Sequence, residues 1–542
     1  MNTVFPSAGV YTNEIDLSQR VASVASSIGA FVGAAGRGPV GERTLITDTT
    51  ELDNTFGKPN AGKYGFMLLC AKQFSKVSSR MYITRVVNGA LTAGAYLTVD
   101  DPTAQTPRLA LNNFDNGSNV PLGKDDPFTN LGFNPGDADI NNDLMFICAA
   151  NPGAWNNNIA IGIRPSNPKG RNVGSDHNVN HFYIDVFYNY TGPNNVPVES
   201  FLVSRTVGEV NTDGSGLFVE DVINTRSKYI RVRNNPYCKI VPVLTAPFQF
   251  LSGATDGLPV TTDQIANAWQ LYDDAEHIDV NLLVNGGYAN PVVQRVMVDV
   301  ARNRFDAFAI LDMPDAAAEV SDAVNYRRND LNINDSYGGI YGPWVQIDDT
   351  DNDKKVWMPP SGLVSAAFAR TDSERALWFA PAGLNRGQLQ IRDIRKKYNQ
   401  GARDALDQAQ INCIRFIPGR GYVIWGQATL QTQPSATQHV NVRRLFNYIK
   451  KSISTSVAFG VFDPNDEFLR KQLRGITSSF LEPIKQGRGL NAYDVVCDDR
   501  NNLPDTIASG DLILDVYADP VIAVKRIHLT AFIQPTGTKF SE

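Results

Sequence analysis

The hexapeptide 36-GRGPVG-41 has the G-x-G-x-x-G spacing of a dinucleotide-binding turn, and it follows an apolar run, 28-IGAFVGAA-35, with the character of a strand. The chemistry would be recognition of a pyrophosphate by backbone amides at a helix N-terminus. That requires a helix to start at the third glycine. Here Gly41 leads into 42-ERTLITD-48, where Leu45 and Ile46 between Thr44 and Thr47 predict a strand. The helix signal comes later. Asp48 and Glu51 have capping-box spacing, with Asp in place of Ser or Thr, ahead of Leu52 and Phe56. Pro39 removes one amide from the loop. The expected role is a turn between two strands. A nucleotide-binding α/β enzyme using Gly36–Gly41 stands as the alternative.

The remaining reactive side chains are sparse. His177 and His181 have i,i+4 spacing but lie in 174-GSDHNVNH-181, a turn-like stretch without the glutamate of H-E-x-x-H. His277 precedes Asp279 by two residues at the head of a strand, with no G-x-S-x-G elbow to accompany it. The acidic run 348-DDTDNDKK-355 places carboxylates at positions 1, 3 and 5 of a calcium loop starting at Asp349. Position 6 is then Lys354 rather than Gly, and position 12 is Pro360 rather than Glu, so the run reads as a solvated loop. The basic cluster 392-RDIRKK-397 is interleaved with acids and reads as an interaction face. No Walker A sequence is present. No catalytic residue, cofactor or metal site is expected, and the chain reads as a non-enzyme.

Composition bounds the class of protein. A chain of 542 residues with 42% hydrophobic and 20% charged side chains is globular and long enough for two to four domains. Lys+Arg 50 against Asp+Glu 56 gives a net charge of −6, which supplies no drive toward nucleic acid or anionic membrane. The five cysteines are far apart and lack any C-x-x-C, so buried reduced thiols are expected. The first twenty residues lack a basic region followed by an apolar core, so no signal peptide is expected. No apolar run approaches the ~20 residues that span a bilayer.

The expected fold class is α/β and multidomain: discontinuous α/β domains with an inserted β-rich domain and extended N- and C-terminal strand arms. Residues 1–23 read as an N-terminal arm. Residues 24–94 and 251–370 read as one discontinuous α/β domain. In the first part, strands 28–34, 43–47 and 80–87 accompany helices 50–56 and 64–76. In the second, a helix from Thr262, strand 278–284, a helix capped by Asn290 with Pro291 at its first position, and strand 307–312 predict a parallel pair in a shared sheet. Residues 95–250 are rich in Asn, Asp, Gly and Pro and carry short alternating runs at 182–188, 201–205 and 229–233, as an inserted β domain does. Residues 371–511 form a C-terminal α/β domain with amphipathic helices at 442–453 and 466–486. Residues 512–542 supply closing strands and an arm.

The two ends carry strand patterns with no obvious hairpin partner. In 10-VYTNEIDLS-18, Tyr11, Ile15 and Leu17 share a face. In 520-PVIAVKRIHLTAFIQP-535, Ile527, Leu529 and Ile533 alternate with Arg526, His528 and Phe532. Such arms either fold back on their own domain or add to a sheet of a neighbouring molecule. Arms donated between subunits build rings or helices. The contact residues expected are Val10, Tyr11, Ile15, Leu17, Ile527, Leu529, Phe532 and Ile533.

Several stretches resemble the tail sheath proteins of contractile bacteriophages, and are similar also to the sheaths of R-type pyocins and, more distantly, to those of type VI secretion systems. They are 7-SAGVYTNEID-16, 38-GPVGERTLIT-47, 56-FGKPN-60, 81-MYITRVVN-88, 151-NPGAWNNNIAI-161, 251-LSGATDG-257, 376-ALWFAPAGLNRG-387, 415-RFIPGRGYVIWGQATL-430, 490-LNAYDVVCDDRNN-502 and the strands of 512–535. Residues 100–141 and 348–355 match nothing in that family. The resemblance implies a homopolymer of stacked hexameric rings around a tail tube protein, with baseplate and tail terminator proteins at its ends. It implies that the arms join neighbouring subunits, that the C-terminal domain is innermost and 95–250 outermost, and that contraction drives the tube through the host envelope. The protein would be assembled in the host cytoplasm and reside in the virion tail, without nucleic-acid binding or membrane insertion. Another component such as a baseplate protein is the nearer alternative. For the tube-facing surface, Arg470, Lys471, Arg474, Lys485 and Arg488 form the expected basic face.

Overall fold

A computed structural model of the chain describes residues 27–99, 109–113, 143–166, 181–192, 195–211, 213–238 and 246–526. All eight expected arm residues, together with His177 and His528, lie outside the described residues.

The body is a nine-stranded sheet. Its strands are β1 (Gly29–Gly33), β2 (Thr44–Ile46), β3 (Met81–Arg85), β4 (Leu282–Val284), β5 (Phe308–Asp312), β6 (Gly338–Gly342), β7 (Gln388–Leu389), β8 (Ile411–Ile417) and β9 (Gly421–Ile424). They lie in the order β7-β9-β8-β6-β5-β4-β1-β3-β2. The run from β8 to β3 is parallel, and antiparallel strands close both flanks. The central strands are continuously apolar because both faces are covered; all five residues of β1 and all five of β5 are buried.

Helices α3 (Thr262–Gln270) and α4 (Pro291–Arg304) bring Ile265, Trp269, Val293 and Met297 to one face. Helices α1 (Thr49–Phe56), α2 (Met67–Ser75) and α5 (Ser361–Glu374) bring Phe56, Leu68, Phe74 and Phe368 to the other. The cap residues explain the starts. Asn290 accepts from Val292 N ahead of Pro291, and Thr261 forms a full capping box with Gln264. Asp48 accepts from Glu51 N, but the Glu51 carboxylate reaches back to Thr47 rather than to Asp48.

Two expectations change. The helix at 64–76 is broken, because Gly65 adopts φ +77° between a short turn of helix, Ala61–Tyr64, and α2. The boundary at 370 falls inside α5, and β7, β8 and β9 beyond it complete the same sheet. Sheet pairing between strands so far apart in sequence leaves no local trace.

Residues 94–250 contribute two further four-stranded antiparallel sheets. One runs Ile230–Asn234, Asp143–Ala149, Gly94–Val99, Leu109–Asn113. The other runs Ala246–Phe250, Ile159–Pro165, His181–Tyr188, Glu199–Ser204. Their shared core includes Leu97, Ile147, Ile161, Phe182 and Val203, and is separate from the two cores of the body. The chain crosses between this part and the body on two adjacent segments, which pair at Leu91 with Thr255 and Gly94 with Ser252.

The C-terminal unit holds α6 (Val440–Val457), α7 (Glu467–Gln486), β10 (Leu490–Val496) and β11 (Asp515–Pro520). Leu445, Ile449, Leu481, Ile484, Leu490 and Val495 form its core. Asp466 caps α7 by accepting from Leu469 N.

Candidate functional site

The glycine corner is built around a cation. Arg85, at the end of β3, is 1% exposed. Its Nε donates to Ala35 O at 2.9 Å, and one terminal nitrogen donates to Gly38 O at 2.9 Å and to Pro152 O at 2.8 Å. Burial lowers its pKa to about 10. Carbonyls of 35–38 therefore face a guanidinium, the reverse of the amide cradle that a phosphate needs. The amides of Arg37 and Gly41 donate to Phe56 O and Arg85 O. A Cβ on Gly38, at φ +99°, would sit 2.7 Å from Phe56. After Gly41 comes the strand β2, and a helix begins only at Thr49. The nucleotide alternative loses its geometric basis, and the corner instead fastens the body to the 151–153 loop of the β-rich part.

The other candidate reactive groups are similarly engaged. His277 Nδ1 lies 2.8 Å from Asp274, not Asp279, on an exposed turn; Asp279 pairs with Lys451. His181 Nε2 lies 3.2 Å from Glu209. The acidic run is the turn of a hairpin, Val345–Asp349 with Lys354–Met358, in which Asp351 meets Lys72 at 2.7 Å while Asp349 accepts from Asn352. Arg392 and Arg395 of the basic cluster pair with Asp348 and Asp315. All five cysteines are free and buried. Among the described residues no group of three His, Cys, Asp or Glu is placed to hold a metal ion.

The surface that stands out belongs to the C-terminal unit. Strands β10 and β11 make a two-stranded antiparallel sheet, with Val495 opposite Val516, that leans on α7. Neither outer edge has a strand partner among the described residues. A two-stranded sheet is marginal by itself, and unpaired edges offer rows of amides and carbonyls to an incoming strand. Tyr517 projects from this sheet, and Ile522 and Val524 follow it into exposed, extended chain. Lys525 ties that chain back to Asp407 at 2.8 Å.

The five expected basic residues do not share one face. The Arg470 guanidinium is buried, donating to Asn465 Oδ1 at 3.1 Å and pairing with Asp499 at 3.0 Å. Lys471, Arg474, Lys485 and Arg488 are exposed. Lys471 pairs with Glu467 at 2.6 Å, Arg474 lies 3.8 Å from Asp498, and Lys485 sits over the Tyr493 ring. Arg470 follows its helical phase: it lies beside Leu469 and one turn before Leu473, both on the buried stripe.

A second exposed feature adjoins this face and was absent from the sequence expectations. The loop between α6 and α7 presents Phe459, Val461 and Phe462 to solvent, and the first turn of α7 adds Phe468. Phe462 is fully exposed at φ +75°, a backbone region that bulky side chains rarely adopt. The signal available in sequence was the stretch 458-AFGVFDPNDEF-468, three phenylalanines around a D-P turn outside either helix stripe.

An open sheet edge is a feature that assembly proteins use to recruit a further strand. Comparison with known proteins gives the family. The family model described as phage tail sheath protein central domain matches residues 259–430, and the one described as phage tail sheath C-terminal domain matches residues 432–534. The chain belongs to the phage tail sheath family.

The tail sheath protein of Enterobacteria phage T4 is 30% identical over 372 residues, covering 64% of this chain and 56% of that protein. The tail sheath protein of Vibrio phage KVP40 is 28% identical over 371 residues, covering 64% of this chain and 54% of that protein. The matched region thus spans about half the length of these relatives. Among solved structures, the sheath tail protein from Listeria innocua superposes with a TM-score of 0.58 at 12% identity, covering 93% of this chain and 97% of that one. The sheath complex of the PVC extracellular contractile injection system, in its contracted state, gives 0.53 at 14% identity, with 99% of each chain covered. These two likenesses are of fold. They agree with a mixed α/β chain of several sheets. No helix of the described residues is long and apolar enough to cross a membrane.

Proposed function

We propose that the chain is the structural subunit of a contractile tail sheath, which stacks as hexameric rings around a tail tube and contracts to drive the tube through the host envelope. The observation that carries this reading is the two-stranded sheet β10–β11, open on both edges among the described residues, in a chain whose two ends carry alternating strand-like sequence patterns. Val10, Tyr11, Ile15 and Leu17 at one end, and Ile527, Leu529, Phe532 and Ile533 at the other, add to the free edges on neighbouring subunits. Main-chain hydrogen bonds hold such a strand whatever the orientation of the domains it connects. The arms then act as hinges while rigid bodies exchange weaker contacts. A difference on the order of a few kcal/mol per subunit, summed along a tail, drives the change.

The partners are other copies of the chain, the tube protein, and baseplate and terminator proteins at the ends. The sheath assembles in the host cytoplasm and functions in the virion tail. The tube-facing surface combines Lys471, Arg474, Lys485 and Arg488 with the apolar loop 458–468. The function is mechanical and uses no cofactor.

Negative-stain microscopy of the purified chain tests the reading. Long striated tubules are expected, and discrete closed particles would overturn it in favour of another tail component. Deletion of residues 1–18 is expected to leave soluble monomers. Reversing the charge of Lys471, Arg474 and Lys485 is expected to abolish co-assembly with the tube but not self-assembly.

A further inference from the structure

A groove of about 580 Å³ lies on the body between α2, α5 and the edge strand β7. Its apolar lining includes Val77, Ile347, Leu363, Ala366, Ala367 and Leu389. The two alanines of α5 leave room where longer side chains would close it. Strand β7 pairs with β9 on one side and has no strand partner on the other among the described residues. Lys76 and Arg370 also line the groove; Lys76 Nζ donates to Gln73 and Arg370 to the carbonyls of Arg386 and Gln388, and their further N–H groups can meet the carbonyls of an extended segment.

The described chain begins next to this groove. Ser27 Oγ donates to Asp372 Oδ2 at 2.8 Å, two residues beyond Arg370. Ser78 Oγ donates to Ser27 O at 2.7 Å, one residue beyond Val77. Asp372 is itself fixed by Arg444 in a buried pair. Val77 lines the groove and the adjoining Ser78 holds Ser27, so the first described residue sits beside the α2 end of the groove. The stretch before it reads 19-QRVASVAS-26, in which Val21, Ala22, Val24 and Ala25 are small and apolar and no residue is acidic. Eight extended residues reach about 26 Å, whereas seven helical steps, Leu363 to Arg370 of the α5 wall, rise only about 10 Å.

We propose that residues 19–26 of the same chain occupy this groove, against Ala366 and Ala367 and beside the free edge of β7. The groove then sets the direction in which the arm 1–18 leaves the body. This inference concerns the single chain and stands or falls separately from arm exchange between subunits.

The test uses the full chain, kept dilute enough to remain unassembled. Val21→Cys and Val24→Cys are each combined with Ala366→Cys and oxidised; the native cysteines are buried and do not compete. A disulfide within one chain, located by peptide mass spectrometry, is expected from at least one pair. Only disulfides between chains, or none from either pair, would overturn the proposal. Separately, Ala366→Trp fills the groove and is expected to speed tryptic cleavage after Arg20 by on the order of tenfold while the far-ultraviolet circular dichroism is unchanged. A folded Ala366→Trp protein cleaved at the wild-type rate would also overturn it.

Discussion

In the body, nine strands bury both faces between two helical layers, and antiparallel strands close the flanks. In the C-terminal unit, two strands lean on one helix, a small core sits between, and aromatic side chains face solvent. Among the described residues the chain thus contains a large part whose sheet faces are covered and a small part whose sheet is open along both edges. The body carries the marks of folding for stability. Among the described residues the C-terminal unit leaves polar sheet edges and apolar area uncovered, features that cost stability unless a further segment or partner covers them.

Core truncation gives the largest contrast. Trp269, fully buried between α3 and the sheet, is expected to cost about 3–5 kcal/mol as Trp269→Ala, lowering the melting of the whole body. Its indole nitrogen has no hydrogen-bond partner, so Trp269→Phe should cost much less. Leu481→Ala in the small C-terminal core is expected to cost about 2–4 kcal/mol, but to raise hydrogen exchange only within residues 440–526. If Leu481→Ala destabilised β1 and β5 equally, the two regions would be one cooperative unit and the contrast would fail.

One pH effect should be local to the body. Asp312 is fully buried at the end of β5, accepting from Ser361 N at 2.8 Å, Ser361 Oγ at 2.7 Å and Gly287 N at 3.0 Å. Burial outweighs these donors and pushes its pKa up to about 6. An unfolded aspartate titrates near 3.9, so between about pH 4 and pH 6 the folded chain holds a proton that the unfolded chain has released. Stability therefore falls as pH rises through that window, by about 3 kcal/mol in all. Denaturant melts at intervals across it should show the slope in wild type and lose that component in Asp312→Asn. Exchange in the C-terminal unit should not follow it.

Arg85 tests the link between the body and the β-rich part. Arg85→Met removes the donors to Ala35, Gly38 and Pro152 but also removes a buried charge with no carboxylate against it. The opposing terms leave an expected loss of about 2 kcal/mol. Hydrogen exchange should rise first at 151–158, where the loop rests on the corner. An effect confined to β2 and α1 would mean that the corner serves the body alone.

What the sequence disclosed follows from the range of the forces involved. Asn290 with Pro291, Asp466 and the stripe Leu469, Leu473, Ile476 act within a turn or two of helix, and the helices begin and face inward as expected. The parallel pairing of β4 with β5, and their sharing of one sheet with β1, was legible because strand–helix–strand spacing restricts the topology. The return of β8 and β9 to that sheet was not, since Ile340 meets Ile411 through pairing that leaves no spacing pattern. Nor was the fate of Arg470, whose charge suggested solvent while its helical phase buried it, with its guanidinium reaching the exposed Asp499. The glycine spacing at 36–41 could be rejected locally, but the cation that occupies the corner comes from β3.

The smallest effect expected has the opposite sign. Phe462 is fully exposed at φ +75°, so its ring adds nothing to the core while its Cβ strains the backbone. Phe462→Gly should relieve that strain and stabilise the isolated C-terminal unit by up to about 1 kcal/mol. A gain of that size appears as slower hydrogen exchange in α6 and α7. The same change removes the most prominent apolar side chain of the 458–468 loop, so co-assembly with the tube protein should weaken as the monomer gains stability. A loss of stability like that of Leu481→Ala would mean that the loop is packed in solution and belongs with the covered part. Greater stability with weaker assembly would mark Phe462 as a residue held in strain for a contact the monomer cannot make.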